Sequence, residues 1–415
     1  MKLLQTDTPA QAQAKLLEAF GAHPVQRELV PLASCTGRIL AEDIRAGEDI
    51  PGFFRSTVDG YAVRAKDTAG AADSVPVFLK VAETVRIGHP AVTRLAPGQC
   101  AYVPTGGMLP AGADAVVMVE YCEMLTGDEI AAEAAVAVGE NVVRPGEDVK
   151  AGEILLTKGT GIGPAQAGAL AAAGVRSVPV FVPWKAAVIS TGDELVQADD
   201  VPGPGQVRDI NTWSLAAAVR QTGMELVTAV CIPDDRERFR DTVRRASEEA
   251  DLVLTSGGSS QGVKDDTEQV LDEVSCGGVF THGLALKPGK PTILALDRAR
   301  GTLLIGLPGH PVAALTVFSL LAAPLWRTVT GQKAPHAVPA RVTENIAAAP
   351  GKATCVPVRL AEHCSPDGIC TYDAVPVFGK SGLITTMAGA DGYLMMDVNE
   401  EGLHAGDLTL VHAFA

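Results

Sequence analysis

The sequence of 415 residues predicts a multidomain protein of the α/β plus β class. At roughly 100–200 residues per domain, this length allows about two to four domains. Between residues 183 and 330, short apolar segments alternate with helical segments, a spacing typical of parallel βαβ units. On both sides of this region, short apolar stretches are separated by glycine, proline and aspartate turns, which indicates short strands. The 43 Gly and 27 Pro of the chain fit a protein with many turns.

Near the N-terminus, residues 8–21 predict a helix. Thr8 is a suitable N-cap, Pro9 suits the first turn, and Gly21 suits the end of the helix. A second, alanine-rich helix is predicted to begin at Pro164. These helices flank a long β-rich segment, which we interpret as an insertion into a mixed or helical N-terminal domain.

The region after residue 183 has a clear α/β pattern, and the chain becomes strand-rich again after residue 330. The predicted elements of the α/β region are strands over 186–190, 225–232, 252–256 and 302–307, and helices over 211–223, 234–250 and 310–326, with another helix starting at Asp265. The four predicted domains are an N-terminal domain (1–45 plus 146–182), a β-rich insertion (46–145), an α/β domain with a parallel sheet (183–330) and a C-terminal β domain (331–415).

The composition excludes several classes of protein. The chain has 34 basic and 49 acidic residues, a net charge of −15, and only 4% aromatic residues, so we expect no nucleic-acid partner. The N-terminus lacks the layout of a signal peptide. The longest apolar run, residues 311–326, is shorter than the roughly 18–20 residues of a membrane helix. We therefore expect a cytoplasmic protein with no membrane association.

None of the 8 cysteines forms a CxxC pair. In a long cytoplasmic chain they are interpreted as buried, reduced thiols. Cys364 and Cys370 flank an acidic turn, where the alternative is a reactive pair.

Three loops follow predicted strands and contain small residues. In an open parallel sheet, ligands bind beyond the carboxyl ends of the strands. Backbone N–H groups in such loops can approach an anion closely, which favours a nucleotide-like ligand over three simple turns. The loops lack the spacing of a Walker A or dinucleotide fingerprint. The candidate binding residues are Ser190, Thr191, Gly192, Ser256, Gly257, Gly258, Pro308, Gly309 and His310.

The segment Lys287-Pro288-Gly289-Lys290-Pro291 places two lysines three residues apart in a stiff turn. Either this is a surface turn, or its two ammonium groups bind phosphate or another oxyanion.

Several carboxylates also lie in turns beside glycine or another acid. Each could be a solvated or capping group, or it could contribute an oxygen ligand to a hard cation such as Mg²⁺. These residues are Asp59, Asp148, Glu194, Asp235 and Asp265. No HExxH or zinc-knuckle spacing occurs, and neither a hydrolytic triad nor structural zinc is predicted.

The segment FRSTVDGYAV, residues 54–63, resembles the signature (F)xxSxxDGYA of the molybdopterin molybdotransferases, the family of MoeA and the gephyrin E domain. The similarity continues in order through nearly the whole chain. The matching segments are Pro104-Thr105-Gly106-Gly107, GADAVV (112–117), RPGED (144–148), STGDEL (190–195), Asp209-Ile210-Asn211, Ser256-Gly257-Gly258, KPGKP (287–291) and Leu307-Pro308-Gly309.

This resemblance implies a four-part, elongated homodimer with a molybdopterin-binding α/β domain and a β-barrel-like C-terminal domain. The implied reaction inserts molybdate, or tungstate, into adenylylated molybdopterin and releases AMP in molybdenum cofactor biosynthesis. Mg²⁺ is the implied cation. A molybdopterin adenylyltransferase and proteins that mature molybdoenzymes are possible partners.

The resemblance also implies roles for individual residues. Lys287 and Lys290 would hold the pterin phosphate or molybdate. The other roles divide between two sets: Glu194, Asp235 and Asp265 would bind Mg²⁺, and Asp59, Thr105 and Asp148 would close the site across the dimer and orient the oxyanion.

The sequence departs from the family at three places. Gly283, beside His282, stands where a basic residue is usual; Ser259-Ser260-Gln261 replaces Val-Ser-Val; and His310 replaces a common asparagine. These changes bear on oxyanion affinity and on the choice between molybdate and tungstate. Two alternatives share the α/β domain: a molybdopterin adenylyltransferase, which lacks the DGYA and C-terminal regions, and a scaffold or carrier that binds molybdopterin without catalysis.

Overall fold

The computed structural model describes residues 6–125, 127–257, 264–364 and 370–414, without the side chains of residues 264–266. The chain forms two compact units. The first consists of Met1–Glu42, Lys158–Gly163 and Val178–Ala415, and the second of Asp43–Thr157 and Pro164–Ser177. The four-domain division predicted from the sequence is finer than these two units.

The first helix, Pro9–Phe20, begins and ends as predicted. Thr8 is its N-cap: the Thr8 hydroxyl accepts a hydrogen bond from the Gln11 amide, and the Gln11 side chain accepts one from the Thr8 amide. This reciprocal pair is a capping box. Leu16 and Phe20 are buried in the core of the first unit, so the capped helix is held there by its apolar face.

A six-stranded sheet lies at the centre of the first unit. Its first four strands run parallel, as predicted. The fifth runs antiparallel to them and corrects the prediction of a fully parallel sheet, and the sixth, which pairs antiparallel with the fifth, again runs in the direction of the first four. The fifth strand is joined to the fourth through residues 298–301 alone, and so short a connection can only form a hairpin. In spatial order the strands are Glu225–Ile232, Lys185–Thr191, Leu252–Gly257, Thr302–Leu307, Ile293–Asp297 and Val279–His282.

Helices cover both faces of this sheet. Ala186 and Val188 belong to one apolar core, and Ala187 and Ile189 to another, because successive strand residues point to opposite faces. The helices are Asn211–Gln221 and Pro311–Thr330, which pack in the first of these cores, and Arg236–Glu249 and Lys264–Val274, which pack in the second.

The apolar run of residues 311–326 was expected to be too short for a membrane helix, but the helix extends over Pro311–Thr330. It is the one helix in the described part of the chain that is long and apolar enough to cross a membrane. It contains a π-helical turn, Phe318–Ala322. In the most apolar stretch of this helix, 72% of the residues are buried inside the protein, which agrees with the prediction of a core helix.

The C-terminal strands form a second six-stranded sheet within the first unit, with a short helix, Ile384–Ala388. The strand Gly392–Met396 pairs with Ala353–Cys364, near one end of the sheet. Backbone hydrogen bonds from Tyr393 to His412, the residue after Leu408–Val411, also link it to the other end. Strand pairing therefore closes on itself, as expected of a barrel-like domain. The strands are Leu286–Lys287, Ala353–Cys364, Cys370–Pro376, Val338–Val342, Leu408–Val411 and Gly392–Met396.

The second unit contains a six-stranded sheet of mixed direction. The helix Pro164–Ala172 also lies in this unit and begins at the predicted proline. In spatial order the strands are Ala115–Met118, Gly60–Val63, Gln99–Val103, Val77–Thr84, Glu129–Ala132 and Cys122–Met124.

The remaining strands form short two-stranded pairs. These are Arg27–Pro31 with Ser177–Phe181, Ile44–Arg45 with Ile154–Leu156, Arg55–Ser56 with Val142–Val143, Leu195–Val196 with Val207–Arg208, and Ile346–Ala347 with Gly402–Leu403.

The prediction that all cysteines are buried, reduced thiols is wrong for several of them. Cys364 and Cys370 form a disulfide, because the register of their two strands places them directly opposite each other. Cys276 is exposed, and Cys122 and Cys231 are half-buried. Only three cysteines of the described chain are fully buried: Cys35, Cys100 and Cys355.

Candidate active site

The three predicted strand-end loops meet at one edge of the central sheet. Their strands are adjacent and parallel, so their carboxyl ends lie side by side. Gly257, with φ of +125°, allows one of these strands to pass close to its neighbour, since a Cβ at this position would overlap the carbonyl oxygen of Thr191. Gly258, also predicted as a binding residue, lies outside the described residues, as do Ser259, Ser260 and Gln261.

A buried polar network links these loops. The Asn211 side-chain amide donates to the Ser256 hydroxyl and to the Gly309 carbonyl, both at 2.7 Å. The Thr212 hydroxyl donates to that of Ser190 at 2.8 Å. Ser190 and Ser256 are only 1% and 2% exposed, so their hydroxyls bond to the protein and hold the strand ends together.

Beside this network lies a recess of about 410 Å³, here called the strand-end recess. Three carboxylates line it: Glu194, Asp209 and Asp234. The Thr191 hydroxyl donates to Asp234 at 2.6 Å, and the Glu194 carboxylate lies against Gly192, where a Cβ would sit 2.7 Å from Glu194 Oε2. The recess therefore has oxygen donors of the type that a hard cation prefers.

Not every carboxylate predicted for this edge lines the recess. Asp235 caps the helix Arg236–Glu249, where its side chain accepts a hydrogen bond from the Arg238 amide at 2.7 Å. Its neighbour Asp234 lines the recess instead. Asp265 lies in the helix Lys264–Val274, and its side chain is outside the described part of the structure. Within that part, acidic groups at this edge do not bring three oxygens within 4.8 Å of one another.

A larger cavity of about 840 Å³, here called the lysine cavity, contains both predicted lysines. Lys287 and Lys290 line it together with Lys352 and Lys380. None of its described lining residues is Asp or Glu, although the whole chain carries −15. This concentration of one charge in a cavity favours an anionic ligand.

Strand pairing brings these lysines together. Leu286–Lys287 pairs in parallel with Ala353 and Thr354, which places Lys352 next to the lysine loop. Gly289, with φ of +133°, allows the loop to pack closely, since a Cβ there would lie 2.7 Å from the Leu286 side chain. Lys380 lies in the loop after Cys370–Pro376.

The two cavities share a wall. Gly309 and His310 line both the strand-end recess and the lysine cavity, and Pro308 lines the latter. The Nδ1 atom of His310 lies 2.7 Å from the Ser381 hydroxyl, and the Val312 amide donates to the Ser381 carbonyl. A recess with carboxylates therefore adjoins a cavity with lysines, and one ligand carrying both a metal-bound phosphate and a second anionic group could occupy both.

In the second unit, Asp59 and Thr105 are in contact. Gly60 and Val103 are partners in antiparallel strands, so the residues that flank them meet at the strand ends. The Asp59 carboxylate accepts hydrogen bonds from the Thr105 amide at 2.7 Å and from the Thr105 hydroxyl at 3.0 Å. These bonds, the amide first, lower the pKa of Asp59, so the exposed carboxylate is held ionised.

Asp148 belongs to the same unit and is exposed. Its amide donates to the Ile50 carbonyl at 3.0 Å, which fixes the turn that carries it.

The thiols near the two cavities are poor nucleophiles. Burial raises the pKa of Cys355, which lines the lysine cavity, to about 12. Burial, together with the neighbouring Asp209, raises the pKa of Cys231 to about 11. Both remain protonated at neutral pH, so thiolate chemistry is not available at either position.

Sequence reasoning missed several residues of the site. Lys352, Lys380 and Ser381 lie in loops beside the C-terminal strands and carry no motif of their own. Asn211 and Asp209 lie in the segment Asp-Ile-Asn, which matched the family pattern and was the one signal that could have identified them.

Three regions of the chain each match a known protein family. Residues 8–174 match the MoeA N-terminal region (domain I and II), residues 187–328 a probable molybdopterin binding domain, and residues 339–414 the MoeA C-terminal region (domain IV). The chain belongs to the MoeA family. Two relatives are named molybdopterin molybdenumtransferase. One, from Haemophilus influenzae, is 34% identical over 97% of this chain and 98% of its own; the other, from Bacillus subtilis, is 31% identical over 92% and 88%.

Solved structures give the same family. A molybdopterin biosynthesis MoeA protein from Pyrococcus horikosii has 35% sequence identity and a TM-score of 0.78, and covers 99% of this chain and 100% of its own. A molybdenum cofactor biosynthesis protein from Pyrococcus furiosus, at 21% identity and a TM-score of 0.60 with the same coverage, shares the fold. The family resemblance predicted from the sequence is thus confirmed.

Proposed function

We propose that this member of the MoeA family is a molybdopterin molybdotransferase. It inserts molybdate, or tungstate, into adenylylated molybdopterin and releases AMP in molybdenum cofactor biosynthesis. Two full-length relatives carry the name molybdopterin molybdenumtransferase, which supports transfer rather than adenylylation as the step catalysed.

One observation carries this proposal: the lysine cavity and the acidic strand-end recess share the wall formed by Gly309 and His310. The reaction needs two anionic groups close together, an oxyanion and a phosphoanhydride. Binding both in adjoining cavities supplies proximity, which lowers the entropic part of the barrier.

The lysine cavity is the proposed site of the oxyanion and the pterin phosphate. Lys287 and Lys290 are the residues proposed from the sequence to bind these anions. Lys352 and Lys380 line the same cavity, and we propose that they bind the anions as well. Their charges attract the two anions and offset the repulsion between them.

The strand-end recess is the proposed site of the adenylyl phosphate. The backbone of Thr191, Gly192 and Gly257 allows close approach of a phosphate, while the buried hydroxyls of Ser190 and Ser256 fix the loops.

The residues of the recess fit a hard divalent cation by their chemistry, since their donors are carboxylate oxygens. The family resemblance implies Glu194, Asp235 and Asp265 as the residues that hold Mg²⁺. Of these, Glu194 lines the recess, where Asp209 and Asp234 are the further carboxylates. When bound, Mg²⁺ would neutralise charge on the phosphoanhydride. The carboxylates would hold the cation beside the phosphate.

Asp59, Thr105 and Asp148 are proposed to complete the site from a second copy of the chain in a homodimer. Thr105 keeps Asp59 ionised and oriented, so that this carboxylate can position the oxyanion or a cation bound to it. A cytoplasmic location and contact with a molybdopterin adenylyltransferase and maturation proteins are part of the same proposal.

The decisive experiment is incubation of the purified protein with adenylylated molybdopterin and Mg²⁺, with molybdate or tungstate added separately. We expect AMP release that depends on the oxyanion, and a cofactor that activates an apo-molybdoenzyme. If the protein binds adenylylated molybdopterin but releases no AMP with either molybdate or tungstate, it is a scaffold or carrier instead.

A further inference from the structure

A side-chain cluster at the end of the strand Ala353–Cys364 and the start of the strand Cys370–Pro376 has no part in the proposed reaction. It consists of Glu362, Cys364 and Cys370, all exposed. Cys364 and Cys370 face each other across the two strands, with their Cα atoms 4.1 Å apart, and are joined by a disulfide. One ligand atom from each of the three residues lies within 4.8 Å of the other two.

The pleat of the strands places these groups on one face. Residues 362 and 364 are two apart on one strand and so point the same way, and Cys370 is the direct partner of Cys364. His363, which lies 3.9 Å from Asp373, is on the opposite face. Cys355, at the lysine cavity, is nine residues back along the strand, about 30 Å at the usual rise. The cluster is therefore separate from the proposed active site.

The chemistry of the cluster suits a thiophilic cation once the disulfide is reduced. Two thiolates and one carboxylate form a ligand set for Zn²⁺, with water as the fourth ligand. Tetrahedral Zn²⁺ places two sulfur ligands about 3.8 Å apart, which rotation of the two exposed cysteine side chains can reach after the S–S bond is broken. Within the described residues, this is the only group of three or more His, Cys, Asp and Glu side chains gathered so closely.

The other thiols are less suited to this role. Burial raises the pKa of both Cys100 and Cys122 to about 12 and that of Cys231 to about 11, which disfavours their thiolates. Cys276 is exposed but belongs to no such group of ligands in the part of the chain that is described.

We propose that reduced Cys364 and Cys370, with Glu362, bind one thiophilic divalent cation such as Zn²⁺, and that the disulfide closes this site. In the opening step, a small-molecule dithiol gives two electrons and two protons to the Cys364–Cys370 bond. The S–S bond breaks, both cysteines become thiols, and the dithiol becomes a disulfide. Cation binding then releases the two thiol protons, so affinity increases with pH.

The test uses the full-length protein, reduced with dithiothreitol, freed of reductant without oxygen, and titrated with Zn²⁺ against a chromophoric chelator. Co²⁺ is used in parallel because thiolate ligation gives a charge-transfer absorbance. We expect reduced wild type to bind one Zn²⁺ more than the disulfide form and one more than a Cys364→Ser, Cys370→Ser double variant. Glu362→Gln should weaken this binding at least about tenfold.

The matched control is Cys276→Ser, which removes an exposed thiol elsewhere and should retain the additional Zn²⁺ and the Co²⁺–thiolate absorbance. The proposal is overturned if reduced wild type binds no more Zn²⁺ than the double variant, or if Cys276→Ser removes the binding. Because the readout is metal stoichiometry, the result is independent of whether the protein releases AMP.

Discussion

The side-chain amide of Asn211 donates a hydrogen bond to the backbone carbonyl of Gly309 at 2.7 Å. The same amide donates to the Ser256 hydroxyl, while its own Oδ1 is buried without a hydrogen-bond partner. Asn211 thus ties together two of the three strand-end loops, and one of these carries the wall between the two cavities. Its position at the start of a helix explains how a residue outside those loops controls their geometry.

We predict that Asn211→Ala lowers both stability and activity. The substitution leaves the Gly309 carbonyl and the Ser256 hydroxyl without a donor, which should cost about 1–3 kcal/mol of unfolding free energy. Urea denaturation measures this loss, and AMP release measures the effect on the loops. Gln221→Ala, at an exposed position in the same helix, is the control and should change neither. Wild-type values for Asn211→Ala would contradict the positioning role.

The contact between Asp59 and Thr105 predicts a shift in titration. Thr105→Val removes the hydroxyl donor but keeps the backbone donor, so the pKa of Asp59 should rise part of the way toward its usual value. A carboxyl whose folded pKa is lowered stabilises the protein above its unfolded pKa, and this contribution disappears as pH falls through the folded pKa.

NMR titration of Asp59 and the acid limb of AMP release both measure this change. Both should move to higher pH in Thr105→Val and stay in place in Thr57→Val, an exposed threonine nearby. An unchanged Asp59 titration in Thr105→Val would show that the hydroxyl contributes nothing.

The lysine cavity predicts that Lys352 and Lys380 matter as much as the lysines of the Lys-Pro-Gly-Lys segment. Replacing either by Met should weaken oxyanion binding roughly tenfold, since it removes a hydrogen bond to a charged group. The KM for molybdate in the AMP-release assay measures the effect. Lys333→Met, at an exposed lysine outside the cavity, should leave this KM unchanged. Equal KM values for Lys352→Met and Lys333→Met would remove Lys352 from the site.

Sharing of residues between two copies predicts complementation. Lys287→Ala and Asp59→Ala proteins should each be inactive alone, but their mixed dimers should recover about one quarter of wild-type AMP release. This fraction follows because half of the dimers are mixed and each mixed dimer has one intact site. Unfolding and refolding the two variants together produces the mixture.

The control for this experiment mixes Asp59→Ala with Thr105→Ala. Both changes lie in the same part of the chain, so no mixed dimer has an intact site and activity should remain absent. If the first mixture also stays inactive while mixed dimers are shown to form, each site belongs to one chain.

Local signals in the sequence were sufficient for most elements of the fold. Thr8, Pro9 and Gly21 predicted the first helix, because capping and the conformational limits of proline and glycine act within a few residues. The antiparallel strand Ile293–Asp297 was not predicted as such. Its direction depends on a hairpin connection and on pairing with Thr302–Leu307, which no local pattern encodes.

By itself, the sequence determined the class of the protein, its family, the three strand-end loops and the two lysines of the turn. These depend on residue type and spacing along the chain. Tertiary structure alone decided that Lys352, Lys380 and Ser381 lie beside that turn, that Asp234 lines the recess while its neighbour Asp235 caps a helix, and that Cys364 faces Cys370. Each depends on strand register or on the direction of a side chain, and these are fixed by pairing between segments far apart in sequence.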